Sequence, residues 1–235
     1  MKRLLLLLIT VTTLTSCAEL QQIASQLPQG GPLTQVDIGN GLRQALDLGI
    51  DREVTKLMAE DGFYRNELVK ILLPEELQKV DSGLRRIGLG GVADEGLKLL
   101  NRAAEDATKE ALPIFTQAVK EITFTDAKNI LLGDQRAATS YLETKTQQEL
   151  YAKFSPVIQQ SLGRVGATEL WSQAINRYNS IPLTNDVNPD LTDYVTQRAL
   201  EGVFTMIAQE EIQIRNQVSA RTTDLLQRVF ALQDK

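Results

Sequence analysis

Glu210 is the residue of this sequence best placed to do chemistry. Over 190–216 the apolar residues Val195, Ala199, Gly202, Val203, Met206, Ile207 and Ile214 recur at helical spacing. Glu210 falls on the same stripe, four residues after Met206 and four before Ile214. A carboxylate on an apolar face must be paired, protonated or lining a cavity, because burying an unpaired charge is very costly. Glu211 stands four residues before Arg215, the favourable order for a helical ion pair, and Arg215 and Arg221 are further candidate partners for Glu210. A second polar cluster, Asn101, Arg102, Glu105 and Asp106, lies beside an alanine-rich face. There Arg102 can meet Glu105 or Asp106 on its own helix, or reach Glu210 across an interface. Both groups fit either a buried polar network fixing helix register or a ligand site, and the architectural role is the simpler account.

Composition removes most other chemistries. The 235 residues include no histidine and a single cysteine. A Ser-His-Asp or Cys-His nucleophile system, a two-histidine metalloprotease helix and a Glu-x-x-His di-iron bundle are therefore excluded. Carboxylate-only and Ser-Lys mechanisms survive. A cell-wall glycan-cleaving enzyme with a single glutamate acid is the alternative function. Such enzymes resemble one another through a Glu-Ser pair, and no glutamate here precedes a serine. Aromatic residues are only 5%, few for stacking sugar rings along a groove. Asp186, Asn188 and Asp190 echo the first ligands of a calcium loop, but Leu191 replaces its turn glycine and Gln197 its final glutamate. Helix capping by Asp190 is the better account. Gly88-Leu-Gly-Gly91 lacks a preceding strand and dinucleotide spacing, and reads as a turn between helices. No metal, cofactor or catalytic residue is expected.

The single cysteine has another assignment. Met1-Lys2-Arg3 opens a basic start, followed by an apolar run from Leu4 to Leu14. Eleven helical residues span roughly 16 Å, about half of a hydrocarbon core, so the run suits an export signal and not a membrane span. Its exit, Leu14-Thr15-Ser16-Cys17, resembles the bacterial lipobox, in which the cysteine is lipidated and becomes the first residue after cleavage. Ala18 follows the cysteine in place of aspartate, which in Gram-negative lipoproteins implies the inner leaflet of the outer membrane, facing the periplasm. Residues 1–16 are thus expected to be a lipoprotein signal peptide and 17–35 the lipidated cysteine and tether. As coil the tether would reach roughly 23 Å, keeping the folded domain close to the bilayer.

Residues 36–235 read as one all-α domain, an irregular multi-helix bundle. Ile38, Leu42, Ala45, Leu46 and Gly49 form one face, and Val54, Leu57 and Met58 another behind an Asp51 cap. Asp61-Gly62-Phe63 is a turn signal. Residues 68–73 are ambiguous, a strand, an arm or a helix end, because Leu73 precedes Pro74. A helix is expected after Pro74, then one over 92–112 whose small residues at 96, 103, 107 and 111 suit close helix approach. Pro113 implies a kink or break. Thr125 caps a short helix ended by Gly133, and further helices are expected near 135–144, 146–165, 167–179, 190–216 and 218–232. The acidic balance, −5 overall and 23 basic against 30 acidic side chains once the signal is removed, argues against nucleic acid as a partner.

Several strings carry a family resemblance in their order and spacing. They are Asn101-Arg-Ala-Ala-Glu105, Thr123-Phe-Thr-Asp-Ala127, Ala137-Ala-Thr139 with Tyr141-Leu142, and Glu210-Glu211 with Arg215, followed by Ala220-Arg-Thr-Thr-Asp-Leu-Leu226 and Val229-Phe230. Over about residues 36–232 the chain resembles a family of bacterial envelope lipoproteins known only as a domain of unknown function. The resemblance implies an all-helical exported protein and supplies no reaction, substrate or catalytic residue. The family pattern has a proline near Val218, absent here, that would end the preceding helix. The expected role is non-enzymatic: binding a hydrophobic ligand or an envelope protein between helices, or scaffolding, at a membrane reached through the lipid anchor.

Overall fold

A computed structural model describes residues 32–234, apart from 76–77, 79–81, 83–84, 87, 89 and 183–185. Cys17, the signal and the tether before residue 32 lie outside the described residues, as does most of the helix expected after Pro74. The described residues form eight α-helices and no strand, the expected all-α domain.

Helix α1 (Gln35–Met58) begins at a capping box: the Thr34 hydroxyl accepts from the Asp37 N–H, and the Asp37 carboxylate accepts from the Thr34 N–H. The Asp51 cap does not form. Asp51 lies exposed within the helix, because Leu46, Gly49, Ile50, Glu53, Val54 and Leu57 continue one buried stripe through that position. The chain then turns at Asp61, whose φ of 65° is left-handed. Residues 68–73 make a turn and then an irregular arm leading to Pro74.

Helices α2 (Gly90–Thr108) and α3 (Ala111–Lys120) are separated at Lys109–Glu110, before Pro113 and not at it. Pro113 occupies the first turn of α3, where its missing N–H has no helical acceptor to lose. Ala103, Ala107 and Ala111 are buried as their size suggests, but Gly96 faces open space. Helix α4 (Phe124–Leu131) is capped by Thr123, since Asp126 stands three residues on and completes a capping box with it; Thr125 lies inside the helix. Helix α5 (Ala137–Gly163) runs unbroken through 145 and Pro156, because Leu142, Thr146, Leu150, Phe154, Ile158 and Leu162 keep one face buried throughout.

Helix α6 (Ala167–Asn179) matches its expected span, and α7 (Leu191–Asn216) starts at the expected Asp190 cap. A 3₁₀ turn (Val218–Ala220) breaks the chain without any proline, and α8 (Asp224–Phe230) closes the bundle. Helix α7 is the central element, packed along α5, α1 and α2, while α1 also carries α3, α4 and α8. Two glycines permit close approach. A Cβ at Gly41 would lie 2.6 Å from Val229 Cγ2, and one at Gly202 would lie 2.7 Å from Phe63 Cε1. No described helix is long and apolar enough to cross a membrane.

Candidate functional site

Asp106 apart, the polar residues that the sequence singles out in its two groups, Asn101, Arg102, Glu105, Glu210, Glu211, Arg215 and Arg221, fall into three separate places. All are buried except Arg102, which is half-buried.

Glu211 and Arg215 sit one turn apart on α7 and join two helix termini. The Glu211 carboxylate accepts from the backbone N–H groups of Ala138 (2.9 Å) and Thr139 (2.8 Å), and from the Thr139 hydroxyl. Arg136, at the N-cap of α5, makes no side-chain cap, so a residue distant in sequence supplies it. Arg215 donates to Glu211 Oε1 (2.9 Å) and to the carbonyls of Ile130 and Leu131 at the end of α4. The anion thus stands at a helix N-terminus and the cation at a helix C-terminus, the favourable sense for both helix dipoles. Arg221 performs the same service for α7 itself: it donates to the carbonyls of Ile214 (3.0 Å) and Arg215 (2.9 Å) and pairs with Asp234. The Arg221 hydrogen bond holds the Asp234 carboxyl below its ordinary range.

Glu210 points the other way. Its Oε1 pairs with Arg52 Nη1 of α1 at 2.6 Å, and not with Arg102, Arg215 or Arg221. The helical stripe identified Glu210 as buried but not its partner, because Arg52 is an ordinary exposed arginine in sequence. Beside Glu210, between Leu42, Leu46, Ile207 and Phe230, the apolar space measures about 20 Å³. That is room for about one water molecule. A general acid must come within hydrogen-bond reach of the bond it protonates, and about 20 Å³ is far less than a sugar ring fills.

Asn101, Arg102 and Glu105 form the third group, which holds the loop between α1 and α2. Asn101 accepts from the Ile71 N–H (2.8 Å) and donates to the Ile71 carbonyl (2.9 Å), as a neighbouring strand would. Glu105 accepts from the N–H groups of Phe63 and Tyr64. Arg102 bridges Glu105, Glu60 and Asp61, which pins the left-handed Asp61 turn. Asp106 lies outside this group and pairs with Lys109.

Sequence reasoning missed Glu53. It is buried on α1, with Oε1 on Lys56 at 2.5 Å and no hydrogen-bond partner for Oε2. The test that finds Glu210 would have found it too, since Ile50, Val54 and Leu57 place Glu53 on an apolar stripe. The calcium-like loop is used internally: Asn188 donates to Asp193, and Asp190 accepts from the Asp193 N–H. Among the described residues no group of three or more acidic or cysteine side chains could hold a metal. Tyr151 fastens α5 to α7 by donating to Asp193 (2.6 Å), and that hydrogen bond pushes its phenol up to about 12.

The larger spaces are open furrows. One, about 270 Å³, runs between the arm at 68–75 and the Tyr194, Arg198 and Glu201 face of α7. Tyr194 donates to the Leu72 carbonyl and keeps the arm in place. Another, about 480 Å³, lies between α5 and α7 over Leu200 and Phe204, rimmed by Arg136, Glu143 and Gln147.

A family model described as Protein of unknown function (DUF4197) matches residues 32–231. No curated protein and no solved structure matches the chain significantly.

Proposed function

The chain belongs to the DUF4197 family, and on that premise we propose that it is a non-catalytic domain of the bacterial envelope. Lipid on Cys17 holds it at the outer membrane facing the periplasm, and it binds an envelope partner on its surface. One observation carries this reading: Glu105, Glu210 and Glu211 are each tied to groups of the fold itself, and the space beside Glu210 holds about one water. A bundle so filled has no room for an acyl chain between the helices flanking Glu210. Of the sequence-based options, surface binding or scaffolding is therefore favoured over ligand storage in the core. The basic start, short apolar run and Leu14-Thr15-Ser16-Cys17 support the anchor.

Native mass spectrometry of the protein extracted from membranes tests both parts. The expected mass is the chain from Cys17 with acyl groups and nothing further. A stoichiometric co-purifying lipid would overturn the surface reading, and an unacylated chain would overturn the anchor. Glu210→Gln is expected to lower the melting temperature without changing peptidoglycan turnover in cells; loss of turnover with folding intact would favour the enzyme.

A further inference from the structure

We infer that the end of the bundle where the chain joins the fold lies against the bilayer that carries the anchor. This rests on the lipid on Cys17 proposed above. Four large apolar side chains are exposed at that end: Val36 (68%), Leu132 (61%), Val218 (59%) and Leu232 (46%). They come from four separate parts of the chain, and contacts around the Arg215–Arg221 node gather them. Arg215 and Gln233 both bind the Leu131 carbonyl, next to Leu132. Arg221 donates its backbone N–H to the Val218 carbonyl and its guanidinium to Asp234, two residues from Leu232. Val36 precedes Asp37, whose carboxylate feels Arg228 of α8, and Gly41 one turn later packs on Val229.

The described chain starts at Pro32, beside Val36, so the tether leaves from this end. Exposed apolar residues also occur at the far end, where Leu72 meets Tyr194 and Leu170 precedes Trp171, which stacks on Tyr194. Helix α7 has 26 residues, about 39 Å of rise, and separates the two ends. The tether expected over 17–35 would reach roughly 23 Å as coil, which favours contact with the near end and leaves the 68–75 furrow facing away from the membrane. The near end carries Asp37, Asp134 and Asp234 together with Arg136, Arg221 and Arg228, so its charge is mixed and its contact is with acyl chains and zwitterionic headgroups.

The full acylated protein, with cysteine introduced singly by Leu132→Cys, Val218→Cys or Leu170→Cys and labelled with a polarity-sensitive dye, is reconstituted into vesicles of phosphatidylethanolamine and phosphatidylcholine. The Cys17 sulfur is blocked by its lipid, so the dye reports one site. Emission from positions 132 and 218 is expected to shift to the blue and to be quenched at least twofold by brominated acyl chains, with position 170 unchanged. Equal quenching at all three positions, or none, overturns the inference. A blue shift at 132 and 218 without bromine quenching also overturns it, because it assigns this end to a protein contact. Mass measured on the same samples before labelling separates the two claims: unacylated Cys17 removes the anchor and the inference that rests on it, whereas acylated Cys17 without quenching removes the surface alone.

Discussion

The charged residues inside this bundle act on backbone, and their energetics follow from that. Glu211 offers its two oxygens to two N–H groups, a hydroxyl and a guanidinium. Glu211→Ala removes a helix cap and strands Arg215 in a buried place, so unfolding in urea should show a loss of about 3–5 kcal/mol. Adding Arg215→Met to that variant should restore part of the loss, because two apolar groups leave no unpaired charge. Glu210→Gln is milder, about 1 kcal/mol, since its partner Arg52 is 44% exposed and water can take over the guanidinium. Asn101→Leu leaves the Ile71 N–H and carbonyl without partners. A cost of about 1–3 kcal/mol and faster amide exchange at Ile71 are the expected readings.

At the scale of elements, small residues have opposite meanings at positions that look alike in sequence. Gly202 of α7 touches Phe63 and Val69, so Gly202→Ala forces two packed side chains to move and should lower stability by about 1–3 kcal/mol. Gly96 of α2 faces open space, so Gly96→Ala should raise stability by about 0.5–1 kcal/mol through helix propensity alone. Paired melting curves of the two variants check both signs. The helix boundaries tell the same story. Thr123 and Thr125 both offer a hydroxyl, but only Thr123 has an acidic residue three positions later that reaches back to its N–H. Continuous burial carries α1 past Asp51 and α5 past 145, where local propensity alone suggested an interruption.

For the whole molecule, titration should erode stability from both sides. Hydrogen bonds from Thr34, Thr123, Tyr151 and Arg221 keep Asp37, Asp126, Asp193 and Asp234 below their ordinary values. Their contribution is complete above the unfolded carboxylate range and is lost as pH falls through the depressed folded values. Tyr151 acts in the opposite sense. Its unfolded phenol ionises near 10 and its folded phenol near about 12, so its contribution is complete below pH 10 and disappears as pH rises towards 12. Melting temperatures followed from pH 9 to 12 should therefore fall less steeply in Tyr151→Phe than in the parent. Millimolar calcium should leave the melting temperature unchanged, because Asn188, Asp190 and Asp193 already satisfy one another.

Helical class, the buried position of Glu210, the pairing of Glu211 with Arg215 and the absence of histidine chemistry were all legible in the amino-acid order. Each depends on residues within two turns of one another or on composition alone. Tertiary structure decided the rest. Arg52 meets Glu210 across 158 positions of chain, Asn101 meets Ile71 across 30, and Glu211 caps a helix that starts 74 residues before it. Periodicity identifies the face a side chain occupies, but which backbone or cation arrives opposite depends on how helices cross. Crossing is set by the sum of many side-chain shapes, among them Gly41 and Gly202, whose closeness to Val229 and Phe63 no local pattern records.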